Sequence, residues 1–331
     1  MTIKLDDIDK NLLDIIQTKF PLESEPFTVL GQRLGADEDE VIRRISRFKK
    51  EGIVRLIGPV LNPKQIGYQT TLIAMRVRPE LLAKAAQTIA EHPLVSHCYE
   101  RNHDFNLWFT LAIPTETDMN KEVQKLGNVI KSDATLNLPA VKMFKIGAYF
   151  NTNKKTAPIP DSSSDSTVIS TREIKLSPVN RYIINELQQD LPLRPMPFDV
   201  MSNNLALPIE EFLIHCRGLI QHGVIRRYSA SISHTNLGFV ANAMSCWQVP
   251  SNMVEMTGKK MATFPEISHC YERNPDAGWH YNMFAMIHAE NKETCQALAL
   301  KICSDTGLEP SSFILLFSTK EIKKTRIRYQ V

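Results

Sequence analysis

Apolar residues at Leu5, Ile8, Leu12, Leu13, Ile15 and Ile16 recur at helical spacing, which predicts an amphipathic helix near the start of the chain. Val41, Ile42, Ile45 and Phe48 predict another that stops at Gly52, and a shorter helix over 27–34 lies between the two. An extended stretch over 53–60 follows. The pattern then changes: 68–77 reads as a strand, 80–91 as a helix, 94–100 and 105–113 as strands, 116–130 as a helix and 138–150 as a last strand. After that the series begins again. Helices over 182–187, 200–205 and 209–220 precede a strand over 239–249, a helix over 252–264, strands over 267–272 and 280–289, a helix over 292–303 and a strand over 312–319.

The order repeats because the sequence does. Ser96-His97-Cys98-Tyr99-Glu100-Arg101-Asn102 returns letter for letter as Ser268-His269-Cys270-Tyr271-Glu272-Arg273-Asn274, an offset of 269 − 97 = 172. Gly52-Ile53-Val54-Arg55 and Gly223-Val224-Ile225-Arg226 stand 223 − 52 = 171 apart, so nearly a whole half-chain is duplicated. Three short helices and an extended segment make a helix-turn-helix unit, and β-α-β-β-α-β is the ferredoxin-like order. The fold class is therefore α+β, a tandem repeat of helix-turn-helix unit plus ferredoxin-like sandwich. Its predicted parts are helix-turn-helix units at 1–60 and 176–232, sandwiches at 61–152 and 233–331, and a linker at 153–175. Pro158, Pro160 and the run Asp161-Ser162-Ser163-Ser164-Asp165-Ser166 make that linker too polar to pack.

Of the 331 residues 43% are hydrophobic and 23% are charged, enough apolar material for two or more cores. No apolar run approaches the ~18 residues of a membrane span, and the first residues lack the basic-then-apolar order of a leader. The reading places the chain in the cytoplasm, with no membrane partner. Cys98, Cys216, Cys246, Cys270, Cys295 and Cys303 form no C-x-x-C pair, which argues against disulfides or structural zinc. A net charge of +3 is too small to imply a nucleic-acid partner. Moreover, the helix that would read DNA opens with Asp37, Glu38, Asp39 and Glu40 in one half and with Glu210 and Glu211 in the other, where phosphate would be repelled. Arg43, Arg44, Arg47, Lys49 and Lys50 follow, and they keep a DNA-binding alternative open.

Candidate chemistry sits in the two hairpins. Strand alternation puts Val95, His97 and Tyr99 on one face, Ile267, His269 and Tyr271 on its counterpart, and Ser96, Cys98 and Glu100 behind. In the next strand it aligns His280, Asn282, Phe284, Met286 and His288, against His103, Phe105, Leu107 and Phe109 in the first half. Imidazole, phenol and apolar surface suit a planar ligand, and Arg101, Arg273, Arg226 and Arg227 can pair with its carboxylates through forked hydrogen bonds. Arg101 and Arg273 have a blander alternative, pairing with Glu100, Glu272, Asp104 or Asp276. Cys98 and Cys270 lack a base at readable spacing and read as small buried thiols, and Trp108 and Trp279 as packing residues.

A helix-turn-helix unit followed by a ferredoxin-like sandwich resembles the Lrp/AsnC regulators, in which two sandwiches pair through their sheets. That resemblance implies a pseudo-dimer formed within this chain. The hairpin segments, with His103-Asp104-Phe105-Asn106-Leu107-Trp108 and Trp279-His280-Tyr281-Asn282-Met283-Phe284, are similar to the siroheme decarboxylase family in both halves and in order. Gly223-Val224-Ile225-Arg226-Arg227-Tyr228 and Phe239-Val240-Ala241-Asn242-Ala243-Met244 share the likeness. It implies loss of carbon dioxide from two acetate side chains of siroheme, giving 12,18-didecarboxysiroheme in haem d1 or alternative haem synthesis. His97, His103 and His269 become the catalytic candidates. Tyr99, Tyr271, Arg101, Arg273, Arg226, Arg227, His280, Asn282 and His288 become the substrate-binding ones. His280 departs from the family's pattern, where a proline is expected. No cofactor is implied beyond the substrate's iron, which one histidine either ligates or leaves to the macrocycle while it donates a proton. Other enzymes of tetrapyrrole synthesis and further copies of the chain remain open as partners. So do two other functions, a DNA-binding regulator and a tetrapyrrole sensor without catalysis.

Overall fold

A computed structural model describes residues 5–147, 175–233 and 241–331. The predicted linker up to residue 174, the end of the strand expected to reach Phe150, and Phe239 and Val240 lie outside the described residues. The rest divides into two units that group like with like, not first half with first half.

One unit contains both helix-turn-helix segments: α1 (Asp7–Thr18), α2 (Pro26–Leu34), α3 (Glu38–Lys50) and β1 (Val54–Leu61), then α6 (Pro178–Leu187), α7 (Pro197–Asn204), α8 (Ile209–Gln221) and β6 (Ile225–Ile232). Helices α1, α3 and α6 start at a capping side chain, whereas α2 and α7 open on a proline and α8 follows Pro208. Asp6 and Asp9 form a reciprocal capping box on α1, Asp37 accepts from the Glu40 amide on α3, and Ser177 caps α6 ahead of Pro178. Leu12, Leu13, Ile16, Val41, Ile45 and Phe48 are fully buried, as the helical periodicity predicts. β1 and β6 pair antiparallel, with Ile57 opposite Ala230. One departure concerns charge: Asp9 is 1% exposed, while Ile8 beside it is only half-buried. Arg44 and Arg47 of α3 explain this, each reaching an Asp9 oxygen, at 2.6 and 2.5 Å.

The other unit is a closed eight-stranded barrel. The first half supplies β2 (Tyr68–Arg76), α4 (Pro79–Glu91), β3 (Val95–Arg101), β4 (Leu107–Pro114), α5 (Met119–Ile130) and β5 (Ala134–Ile146). The second supplies β7 (Ala241–Trp247), α9 (Val254–Ala262), β8 (Ile267–Arg273), β9 (Met283–Ala289), α10 (Lys292–Thr306) and β10 (Phe313–Lys324). Closure depends on two long strands that serve both halves. β5 pairs with β2 through Pro139 and with β8 from Ala140 onward; β10 pairs with β7 through Phe317 and with β3 from Ser318 onward. The two sandwiches therefore pair within the chain.

Three cores result. Ala85, Ile89, Val123 and Leu126 of α4 and α5 pack on one outer face of the sheet, and Val254, Met261, Ala299 and Ile302 of α9 and α10 on the equivalent face. The third core lines the barrel interior and draws on both halves: Ala74, Trp108, Leu136 and Leu138 with Met244, Cys246, Trp279, Phe284 and Leu316.

Candidate active site

Cross-strand pairing fixes which side chains face the interior, because residues directly opposite on neighbouring strands share a face. Tyr99 lies opposite Trp108 and Tyr271 opposite Phe284, both members of the interior core. With Tyr99 and Tyr271 inward, alternation carries His97, Arg101, His269 and Arg273 inward too. Each strand presents imidazole, phenol and guanidinium in line. The His97 and Tyr99 rings lie 6.4 Å apart and 23° from parallel, and the Arg101 guanidinium carbon is 5.4 Å from the Tyr99 ring. The second ladder repeats the first: 6.3 Å and 19° for His269 and Tyr271, then 5.0 Å for Arg273.

Two parts of the predicted pattern are corrected. Val95 and Ile267 do not accompany the histidines; they pack in the outer cores with Cys98 and Cys270. The pairing with the neighbouring strand slips between Val95 and His97 and between Ile267 and His269, which turns the residues before the slip to the other face. In β4 the inward residues are Trp108 and Thr110, whereas Leu107 and Phe109 belong to the outer core. The equivalence of Trp108 and Phe284 gives 284 − 108 = 176, an even offset, so even-numbered residues of one hairpin match even-numbered residues of the other.

The arginines are the most unusual groups. Arg101 is 5% exposed; its Nη1 donates to the Leu316 carbonyl at 2.7 Å and to Ser318 Oγ at 3.2 Å, and its Nε has no partner. Arg273 donates from Nη1 to the Leu138 carbonyl at 2.8 Å, and its buried Nε is likewise unpartnered. Among the described residues no carboxylate pairs with either. Glu100 faces Lys320 at 3.9 Å, and Asp276 accepts from the backbone amides of Asn137 and Ala277. Burial pushes both guanidinium pKa values down to about 10. Both arginines also lie within electrostatic reach of buried Cys246, so two uncompensated cations converge on one region of the interior.

The remaining candidates are distributed as follows. His103 is in the β3–β4 loop, where Nδ1 accepts from the Phe105 amide at 3.1 Å and the ring meets the Trp279 edge at 5.6 Å. Burial of the ring lowers its pKa, against a smaller opposing effect of Asp104. His288 is 7% exposed on β9, with Nε2 2.8 Å from Ser268 Oγ. The strand begins only at Met283, so His280 and Asn282 fall in the preceding loop. His280 is exposed. The Asn282 amide is committed at both ends, accepting from the Val249 N–H and donating to its carbonyl, each at 2.9 Å; Asn106 does the same to Val77. Arg226 and Arg227 stand on β6 in the other unit, where Arg226 donates to Asn62. Trp279 belongs to the longer second loop and is 4% exposed, its ring 5.4 Å from that of Trp108.

Sequence reasoning missed the serines. Ser96 Oγ lies 2.8 Å from His97 Nδ1, and Ser268 Oγ lies 2.8 Å from His269 Nδ1. The Ser-His adjacency in both motif copies is the signal that was available. Cys98 and Cys270 are buried, with thiol pKa values raised to about 12 by burial, and are inert as nucleophiles. In the helix-turn-helix unit two of the three arginines expected to offer themselves to phosphate are already engaged, while Arg43 is exposed. Arg44 contacts Asp6, Asp9 and Glu40, and Arg47 contacts Asp9.

Comparison with known proteins agrees with this division. The AsnC-like ligand binding domain matches residues 65–145 and 236–323, and the siroheme decarboxylase NirDL-like HTH domain matches 9–55 and 180–226. The siroheme decarboxylase of Hydrogenobacter thermophilus is 38% identical over 98% of this chain and 95% of its own length. The crystal structure of the siroheme decarboxylase NirDL superposes with a TM-score of 0.74 at 35% identity, covering 98% of this chain and 95% of that one. The same enzyme in co-complex with an iron-uroporphyrin III analogue gives 0.73 at 34% identity, with the same coverage.

Proposed function

Since this chain belongs to the siroheme decarboxylase family, we propose that it removes carbon dioxide from two acetate side chains of siroheme to give 12,18-didecarboxysiroheme, and that the two His-Tyr-Arg ladders carry the work. The observation that carries this reading is a pair of guanidiniums, Arg101 buried and Arg273 half-buried with an enclosed Nε, neither with a carboxylate partner among the described residues. A cation kept in an apolar interior without a counter-charge is costly, and a ligand that brings carboxylates relieves that cost. Siroheme brings such groups. Arg101 and Arg273 are assigned to the carboxylates that stay, and the apolar interior disfavours the charge of the one that leaves.

When the acetate C–C bond breaks, its electron pair remains on the methylene carbon and spreads into the macrocycle. One proton must then reach that carbon. Histidine titrates near neutral pH and can deliver it. His97 and His269 face the interior and His103 touches its Trp279 wall, so these three are assigned to proton delivery, with ligation of the substrate iron as the alternative task for one of them. The reaction is a redox-neutral carboxy-lyase step, and we assign it no cofactor beyond the substrate's iron. All six cysteines are unpaired thiols, in keeping with a reducing compartment, and no helix among the described residues is long and apolar enough to cross a membrane. The deciding experiment is anaerobic incubation of the purified protein with siroheme, followed by product mass. Loss of two carboxyl groups supports the assignment, whereas an optical shift with unchanged mass overturns it.

A further inference from the structure

The two ladders differ behind their histidines. Ser268 Oγ lies 2.8 Å from His269 Nδ1 and also 2.8 Å from His288 Nε2, so a single hydroxyl stands between two imidazoles. Ser268 is 3% exposed and His288 is 7% exposed, which keeps bulk water from replacing either partner. The first half has only the Ser96–His97 half of this arrangement. Its residue equivalent to His288, at 288 − 176 = 112, is Ala112, and among the described residues no second imidazole pairs with Ser96.

A hydroxyl has one proton. Between two ring nitrogens it donates to one and accepts from the other, so the protonation of the two rings is linked. If His288 Nε2–H donates to Ser268, then Ser268 donates to His269 Nδ1, and the His269 proton is confined to Nε2. We propose that His288 is a positioning residue which, through Ser268, fixes the Nε2-protonated form of His269 and so makes the second half's histidine the one prepared to donate. This rests on the assignment of His269 to proton delivery made above.

The test is nitrogen-15 NMR of histidine-labelled full-length protein without substrate, on wild type, His288→Phe, His288→Gln and Ser268→Ala, with steady-state kcat and KM for siroheme on the same samples. Wild type is expected to show His269 held in the Nε2-protonated form. His288→Phe and Ser268→Ala are expected to show mixed forms, with kcat reduced roughly 10–100-fold and KM nearly constant, the scale of losing an outer partner that orients a functional imidazole. The glutamine amide can donate as Nε2–H does, so His288→Gln is expected to restore both the signal and most of the rate. An unchanged His269 signal in His288→Phe, or no restoration by glutamine in a folded variant, overturns the proposal. A changed signal with an unchanged rate upholds the linkage and instead removes His269 from proton delivery.

Discussion

Replacing Arg101 by methionine separates a ligand-binding guanidinium from a structural one. Burial lowers its pKa from the ordinary arginine range to about 10, and at about 1.4 kcal/mol for each pH unit this is on the order of 3 kcal/mol acting against the folded state. The folded pKa lies below the unfolded one, so the penalty is full at every pH below about 10 and is relieved only as pH rises from there towards the ordinary arginine range. Methionine removes it. The same change deletes the 2.7 Å hydrogen bond to the Leu316 carbonyl, a charge-assisted contact worth about 1.5–3 kcal/mol. The two effects nearly cancel, so the ligand-free variant is expected to unfold in urea within about 2 kcal/mol of wild type. Affinity should behave differently. Losing one member of a buried guanidinium–carboxylate pair costs about 2–5 kcal/mol, so optical titration with siroheme should show binding weakened roughly 30- to 5,000-fold. A variant destabilised by about 4 kcal/mol or more that binds siroheme normally would mean that Arg101 only ties β3 to β10.

Alanine at His97, His103 or His269 is expected to lower single-turnover decarboxylation by roughly 10²–10⁴-fold at whichever position supplies the proton, while the protein stays folded; normal turnover in all three would clear the histidines. Lysine in place of Asp37, Glu38, Asp39 and Glu40 should leave turnover nearly intact, and wild type should show no salt-sensitive binding to duplex DNA in a gel-shift titration. Gly258→Ala places a methyl group 2.5 Å from the Phe144 ring, and calorimetry should show a loss of about 1–3 kcal/mol from overpacking between α9 and β5.

Much of the fold was readable because it is written twice. Helices α1, α3, α5, α6 and α10 begin at capping side chains and bury their periodic positions, and the β-α-β-β-α-β order is evident from the alternation of periods. Two kinds of information were not local. The strand slips before His97 and His269 arise from pairing with β4 and β9, and no run of residues in β3 or β8 announces them, so Val95 and Ile267 were predicted on the wrong face. Equally, the pattern of Phe105 to Phe109 permits either parity, and only Trp108 opposite Tyr99 decides it. The role of Asn282 illustrates a third limit: an asparagine beside a ligand-like cluster looks the same in sequence whether it meets substrate or clamps Val249. Arg101 and Arg273 were legible as residue types, but the lack of a partner for their Nε atoms is a property of the closed barrel alone.

The shared strands β5 and β10 also set the order in which the molecule can be made. Arg101 waits for Ser318, 318 − 101 = 217 residues later. During synthesis the first sandwich emerges with β3 unpaired along its outer edge and with the end of β5 overhanging, two templates for pairing with another chain. Contacts of such long sequence separation form slowly, because a large loop must close first. A half expressed by itself should therefore satisfy these edges with a second copy of itself or aggregate, and the intact chain should refold in two phases, sandwiches before barrel.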